Sequence, residues 1–126
     1  MHQYNRTMKL TIAVVIATRN RKEDLQRTLQ KVGELDPKPD EIIVCADGCT
    51  DGTVEYVKTL SHVRLIVNEV PRGSISSRNT MMREASGDLV LSLDDDSYPV
   101  EPGFIWQMGS LSELTTKTQL NINFTF

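Results

Sequence analysis

Apolar and polar positions along the chain follow two alternating rhythms. Leu10-Thr11-Ile12-Ala13-Val14-Val15-Ile16-Ala17 is β-branched and almost uniformly apolar. That pattern predicts a strand buried on both faces, as in a parallel sheet. A helical rhythm follows, with Leu25, Leu29, Val32 and Leu35 on one apolar stripe. Asn20 is the expected N-cap, and Glu23 completes a capping box. Asp36-Pro37-Lys38-Pro39-Asp40 stops this helix, because proline cannot continue it. The unit then repeats. Ile42 to Ala46 reads as a second strand, Asp47 to Gly52 as a turn, and Val54, Val57 and Leu60 mark a second helix. Val63 to Val67 reads as a third strand, Glu69 to Ser74 as a loop, and Ile75 to Ala85 as a helix with Gly87 as its C-cap. Leu89 to Leu93 is a fourth strand running into Asp94-Asp95-Asp96, with a short helix expected around Phe104 to Met108. Residues 109–126 are atypical, rich in Thr, Ser and Asn. There Leu120, Ile122, Phe124 and Phe126 alternate with polar residues, as in an edge strand or a frayed tail.

Strands separated by helices predict right-handed crossovers and a parallel α/β sheet. The expected order is Rossmann-like: three strands running one way, and the fourth added on the other side of the first. Ligands of such sheets bind at the carboxyl ends of the strands, where the order reverses. That rule selects Thr18-Arg19-Asn20, Asp47-Gly48 and Asp94-Asp95-Asp96.

Composition narrows the field. The chain has 126 residues, 39% hydrophobic and 25% charged, which suits one soluble domain over residues 1–126. A net charge of −3 argues against a general nucleic-acid binder. No apolar run reaches the roughly 18 residues of a membrane span, and no signal-peptide cleavage site follows the first apolar run. Cys45 and Cys49 are too few for a disulfide framework or a four-ligand zinc site, so Cys45 reads as a core thiol and Cys49 as a turn residue. A cytoplasmic protein is the default expectation.

An acidic triplet taken alone reads as a solvated turn. Here Asp94 to Asp96 directly follows an apolar strand, in a chain whose other strand-end loops carry arginines. Clustered carboxylates there suit a hard cation, Mg²⁺ or Mn²⁺, with substrate phosphates completing the shell. Asp47 is either a plain turn aspartate or an acceptor for a pyrimidine ring N–H, and Thr18 either structural or a contact to the same ring. Arg78 falls near a helix start, where anions are favoured, whereas Arg83 reads as a surface charge. Arg72 lies in a loop able to fold over phosphates, and Arg19 faces either pocket or solvent. No glycine-rich turn follows the first strand, which counts against a dinucleotide fold or a P-loop.

Four stretches then carry a resemblance. They are Val14 to Arg21, Pro39 to Thr53, Arg72-Gly73 with Ser77-Arg78-Asn79, and Ala85 to Asp96. In order and spacing, across roughly residues 10–108, the chain resembles the N-terminal half of family 2 glycosyltransferases, inverting nucleotide-sugar enzymes of the GT-A fold. The resemblance implies a Rossmann-like three-layer α/β sandwich, mostly parallel and truncated. It implies that Thr18 and Asp47 hold the base, with Arg19 beside them, that Arg78 lies near base and phosphates, and that Asp95 approaches the ribose. Asp94 and Asp96 would form a DxD motif, Asp96 foremost as the direct metal ligand for Mg²⁺ or Mn²⁺. The implied partner is a nucleotide-diphosphate sugar, with a UDP-sugar favoured because Asp47 suits uracil. Ala46 departs from the family pattern, which often has a second acid there. The family's second half supplies the acceptor site and the general base, so no catalytic base is assigned within this chain. Donor binding is therefore expected more readily than turnover, and apolar surface left by a missing half would favour self-association. The competing readings are a non-catalytic interaction remnant of the fold and a phospho-receiver module. A receiver would need an acidic pair where Ala17-Thr18-Arg19 stands, and an aspartate where Asn68 stands.

Overall fold

The apolar runs become strands where the hydrophobic rhythm places them: β1 (Ile12–Thr18), β2 (Glu41–Asp47), β3 (Arg64–Asn68) and β4 (Leu89–Asp94). Three helices connect them: α1 (Lys22–Gly33), α2 (Thr53–Lys58) and α3 (Ser74–Glu84). The computed structural model describes residues 11–35, 38–96 and, as backbone, 118–121. The expected helix at 104–108 and residues 122–126 of the tail lie outside the described residues. The tail does contribute an edge strand, β5 (Thr118–Asn121), pairing Leu89 with Thr118 through Ser92 with Asn121.

The sheet order is β3-β2-β1-β4-β5, and every pairing is parallel. This is the Rossmann-like order with the reversal between β1 and β4. It excludes a receiver module, whose sheet begins 2-1-3.

Alternation along β1 sorts its side chains into two cores. Ile12, Val14 and Ile16 pack with Leu25, Leu29 and Val32 of α1 and Val57 of α2. Ala13 and Val15 face the opposite side, against Met81 of α3 and Ala85. Helices on both faces explain why β1, β2 and β4 are almost uniformly apolar and buried, whereas the edge strand β3 is partly exposed, with Val67 at 43%. Each buried Leu or Ile contributes about 1.5–3 kcal/mol, so these layers are the main stabilising term. Among the described residues, no helix is long and apolar enough to cross a membrane.

Aspartates close the amino-terminal edge of the sheet. The Ile12 N–H donates to Asp40 Oδ2 at 2.8 Å, and the Thr11 N–H donates to Asp88 Oδ2 at 3.0 Å. Gly87 belongs to this edge, which corrects its expected role as a C-cap. Helix α3 ends at Ala85 in extended conformation (φ −70°, ψ 138°), so no left-handed residue is needed there. Gly87 instead lets the chain pass Ala13, whose backbone N would lie 2.7 Å from an added Cβ.

Candidate functional site

The carboxyl ends of β1, β2 and β4 converge, and the loops leaving them are stitched together. After Thr18 the chain turns through Asn20, which takes φ +54°, a left-handed conformation that asparagine tolerates. Its side chain does not cap α1, contrary to the expected capping box. Asn20 Oδ1 accepts the Thr50 N–H at 2.7 Å, tying the β1–α1 loop to the β2–α2 loop. The residue preceding α1 is Arg21, whose side chain makes no capping bond. Asp51 supplies the cap from the other loop: its Oδ2 accepts the Lys22 N–H at 3.1 Å, and its Oδ1 accepts the Thr53 N–H at 3.1 Å. The Thr53 hydroxyl, and then these backbone donors, hold the Asp51 carboxyl below its ordinary pKa despite partial burial. Asp51→Ala removes caps of two helices at once. It is expected to cost about 1–2 kcal/mol, measured by urea denaturation.

Asp47 ends β2 with only 5% of its surface exposed. Its Oδ1 accepts the Arg72 N–H at 2.8 Å and the Asn68 Nδ2–H at 3.0 Å, while Oδ2 accepts the Gly73 N–H at 2.9 Å. Burial pushes this carboxyl's pKa up. The Arg72, Asn68 and Gly73 hydrogen bonds, helped by the Arg19 charge, outweigh burial and leave the pKa below the ordinary value. Asp47 thus clamps the strap between β3 and α3. Gly48 lies under the same strap at φ +70°, where an added Cβ would sit 2.4 Å from Pro71 Cγ.

At the end of β4 the three acids have distinct environments. Asp95 is buried; its Oδ2 accepts the Thr18 hydroxyl at 2.9 Å, and its backbone carbonyl accepts the buried Thr28 hydroxyl at 2.6 Å. Burial raises the Asp95 pKa, and the Thr18 bond and Arg21 charge offset part of that. Asp94 and Asp96 are about half exposed, and each faces an arginine. Arg78 Nη2 stands 3.9 Å from Asp94 Oδ1, and Arg21 Nη1 stands 3.2 Å from Asp96 Oδ2.

A cavity of about 570 Å³ opens over these strand ends. Thr18, Arg19, Asp47 and Asp94 to Asp96 all line it, so residues distant in sequence share one cleft. Arg78 enters through its ion pair with Asp94 rather than as a lining residue. Arg83 is exposed, as expected. Arg72 contributes its backbone N–H to the Asp47 clamp. Sequence reasoning missed three contributors: Arg21, Thr28 and Asn68. Arg21 and Asn68 stand in or beside stretches already singled out, but nothing in those stretches shows what the side chains meet. A second depression, of about 470 Å³, lies between α1 and α2 over Leu29, Tyr56 and His62, away from the strand ends.

Among the described residues, no group of three His, Cys, Asp or Glu side chains is arranged to hold a metal ion. The donor set at the cleft is two half-exposed carboxylates, Asp94 and Asp96. That set fits an octahedral cation taking one or two protein carboxylates plus substrate phosphates, rather than an all-protein cage.

Comparison with known proteins identifies the family and the fold. The family model described as glycosyl transferase family 2 matches residues 13–104. The chain is 29% identical over 89 residues to the UDP-Glc:alpha-D-GlcNAc-diphosphoundecaprenol beta-1,3-glucosyltransferase WfaP of Escherichia coli, covering 69% of this chain and 36% of that protein. It also superposes on the mannosyltransferase PcManGT of Pyrobaculum calidifontis, solved with GDP-Man and Mn²⁺. That match has TM-score 0.71 and 22% identity, covering 83% of this chain and 32% of the other. TarS of S. aureus (residues 1–349), solved with UDP-GlcNAc, matches at TM-score 0.71 and 21% identity, over 82% of this chain and 31% of that fragment. The structural matches establish the fold, and the chain spans about a third of the length of WfaP, of PcManGT and of the TarS 1–349 fragment, and 19% of the longer TarS chain.

Proposed function

The chain belongs to glycosyl transferase family 2, and from that premise we propose that it binds the nucleotide-diphosphate sugar donor of an inverting, metal-dependent sugar transfer. The observation that carries this reading is the convergence of Thr18, Asp47 and the acidic turn on one cavity at the switch point of the sheet. Thr18, Arg19 and Asp47 stand on the base side. The Asp47 Oδ2 atom accepts one strap N–H and retains capacity for a ring N–H, which suits uracil. Asp95, held by Thr18 and Thr28, would meet the ribose. Arg78 supplies positive charge for the phosphates.

Asp94 and Asp96 would hold Mg²⁺ or Mn²⁺. When bound, such an ion offsets the negative charge that builds on the departing nucleoside diphosphate. In an inverting transfer the acceptor hydroxyl attacks the anomeric carbon as the bond to the diphosphate breaks, and a general base takes the hydroxyl proton. The described lining residues account for the donor side, and we assign no base and no acceptor to them.

Calorimetric titration of UDP tests the reading. Mn²⁺ is expected to tighten UDP binding by roughly tenfold or more over EDTA, and UDP to outcompete ADP. Asp96→Ala, at a half-exposed position, is expected to abolish the Mn²⁺ effect while leaving secondary structure intact. UDP binding that ignores Mn²⁺ in both proteins would point to a non-catalytic remnant of the fold instead.

A further inference from the structure

The cleft contains a cation, Arg21, to which the donor-site reading gives no role. Arg21 precedes α1, lines the cavity, and directs Nη1 at the acidic turn, 3.2 Å from Asp96 Oδ2 and 3.7 Å from Asp95 Oδ1. Its side chain makes no capping hydrogen bond at the helix start, and its charged contacts are with Asp95 and Asp96. Successive carboxylates repel at this range, and a guanidinium between two of them relieves the repulsion.

We propose that Arg21 is a positioning residue that occupies the metal seat of Asp96 in the cation-free protein and must yield it when a divalent ion binds. The inference rests on the donor-site reading above, in which Asp94 and Asp96 take the ion. A guanidinium and a divalent cation compete for the same Asp96 oxygen, because both draw on its lone pairs at short range. The pair is about half exposed on both sides, so the competition is modest and salt-sensitive. Arg21 therefore keeps the acids ordered and their charge balanced before donor arrival. It also weakens metal binding in the absence of nucleotide, so that donor phosphates are needed to complete the exchange.

The test is a Mn²⁺ titration of the full chain by calorimetry, with and without UDP, for wild type, Arg21→Ala and Arg21→Lys. Arg21→Ala is expected to bind Mn²⁺ roughly two- to fivefold tighter than wild type without UDP, with Arg21→Lys between them. The advantage is expected to shrink at high salt, which a purely structural role would not produce. Melting curves confirm that the variants are folded. If wild type binds Mn²⁺ with UDP and Arg21→Ala binds it no tighter, the inference about Arg21 is overturned and the donor-site reading stands. If none of the three proteins binds Mn²⁺ with or without UDP, the metal reading falls, and this inference falls with it.

Discussion

Asp47→Ala is expected to destabilise the fold by about 2–4 kcal/mol and to release the strap between β3 and α3. One buried carboxylate here satisfies the Arg72 and Gly73 N–H groups and the Asn68 amide. Hydrogen bonds to a charged acceptor are worth about 1.5–3 kcal/mol each, and the exposure of Arg72 and Gly73 lets water recover part of the loss. Asp47→Asn keeps the shape but turns an amide donor toward a backbone donor, so an intermediate loss is expected. Hydrogen exchange at the Arg72 and Gly73 amides locates the effect. Both should exchange faster in either variant, and unchanged protection there would contradict the clamp.

The same carboxylate makes stability depend on acidity. Its folded pKa lies below the unfolded one, so its contribution is complete above the ordinary aspartate value of about 4 and is lost as pH falls through the depressed folded value. Asp51 acts in the same direction. Asp95 acts in the opposite one. Burial raises its pKa, so its ionised form weighs against folding above that value, and protonation relieves this as pH falls. Urea denaturation at pH 7 and near pH 3.5 should therefore show a smaller acid-induced loss in Asp47→Asn than in wild type. UDP binding should fall in both Asp47 variants, because the residue shapes the cleft as well as the strap.

Gly87→Ala is the second change with a large expected effect, about 2–3 kcal/mol of lost stability. An added Cβ would meet Ala13 N at 2.7 Å, Leu89 O at 3.0 Å and Ala13 Cβ at 3.1 Å. Two of these are backbone atoms of paired strands, so relief requires β1 and β4 to part locally. Gly33→Ala serves as the contrast. Nothing lies within 4 Å of its added Cβ, and alanine favours a helix over glycine, so a gain of up to about 0.5–1 kcal/mol is expected. Chemical denaturation of both variants separates steric need from mere glycine content. Because Gly87 lies at the opposite edge of the sheet from the cleft, Gly87→Ala should leave UDP affinity unchanged wherever the protein is still folded.

Much of this architecture is legible along the chain. Strands buried on both faces admit no polar phase, so Ile12 to Ile16, Ile42 to Ala46 and Leu89 to Leu93 declare themselves by composition. Leu25, Leu29 and Val32 declare α1 by spacing, Leu35 continues the stripe just past its end, and all four are buried. The handedness of crossovers then yields the sheet order and points to the strand ends that line the cleft. These are properties of near neighbours and of a repeating period, and a one-dimensional string carries them in full.

Asn20 and Gly87 show where local rules stop. An asparagine before a helix favours a cap and a glycine after one favours a left-handed stop, yet Asn20 binds Thr50 and Gly87 makes room for Ala13. Arg21, Thr28 and Asn68 are ordinary polar residues until folding supplies their partners. Thr18 and Thr28 meet Asp95 across 77 and 67 positions of chain, and Arg21 meets Asp96 across 75. Hydrogen bonds and ion pairs act over a few ångströms, so which polar groups meet is decided only when the packed sheet brings distant segments within that range. The sequence alone determined the elements, their order and the edge where chemistry gathers. The tertiary structure decided which side chains hold that edge together and which remain to meet a ligand.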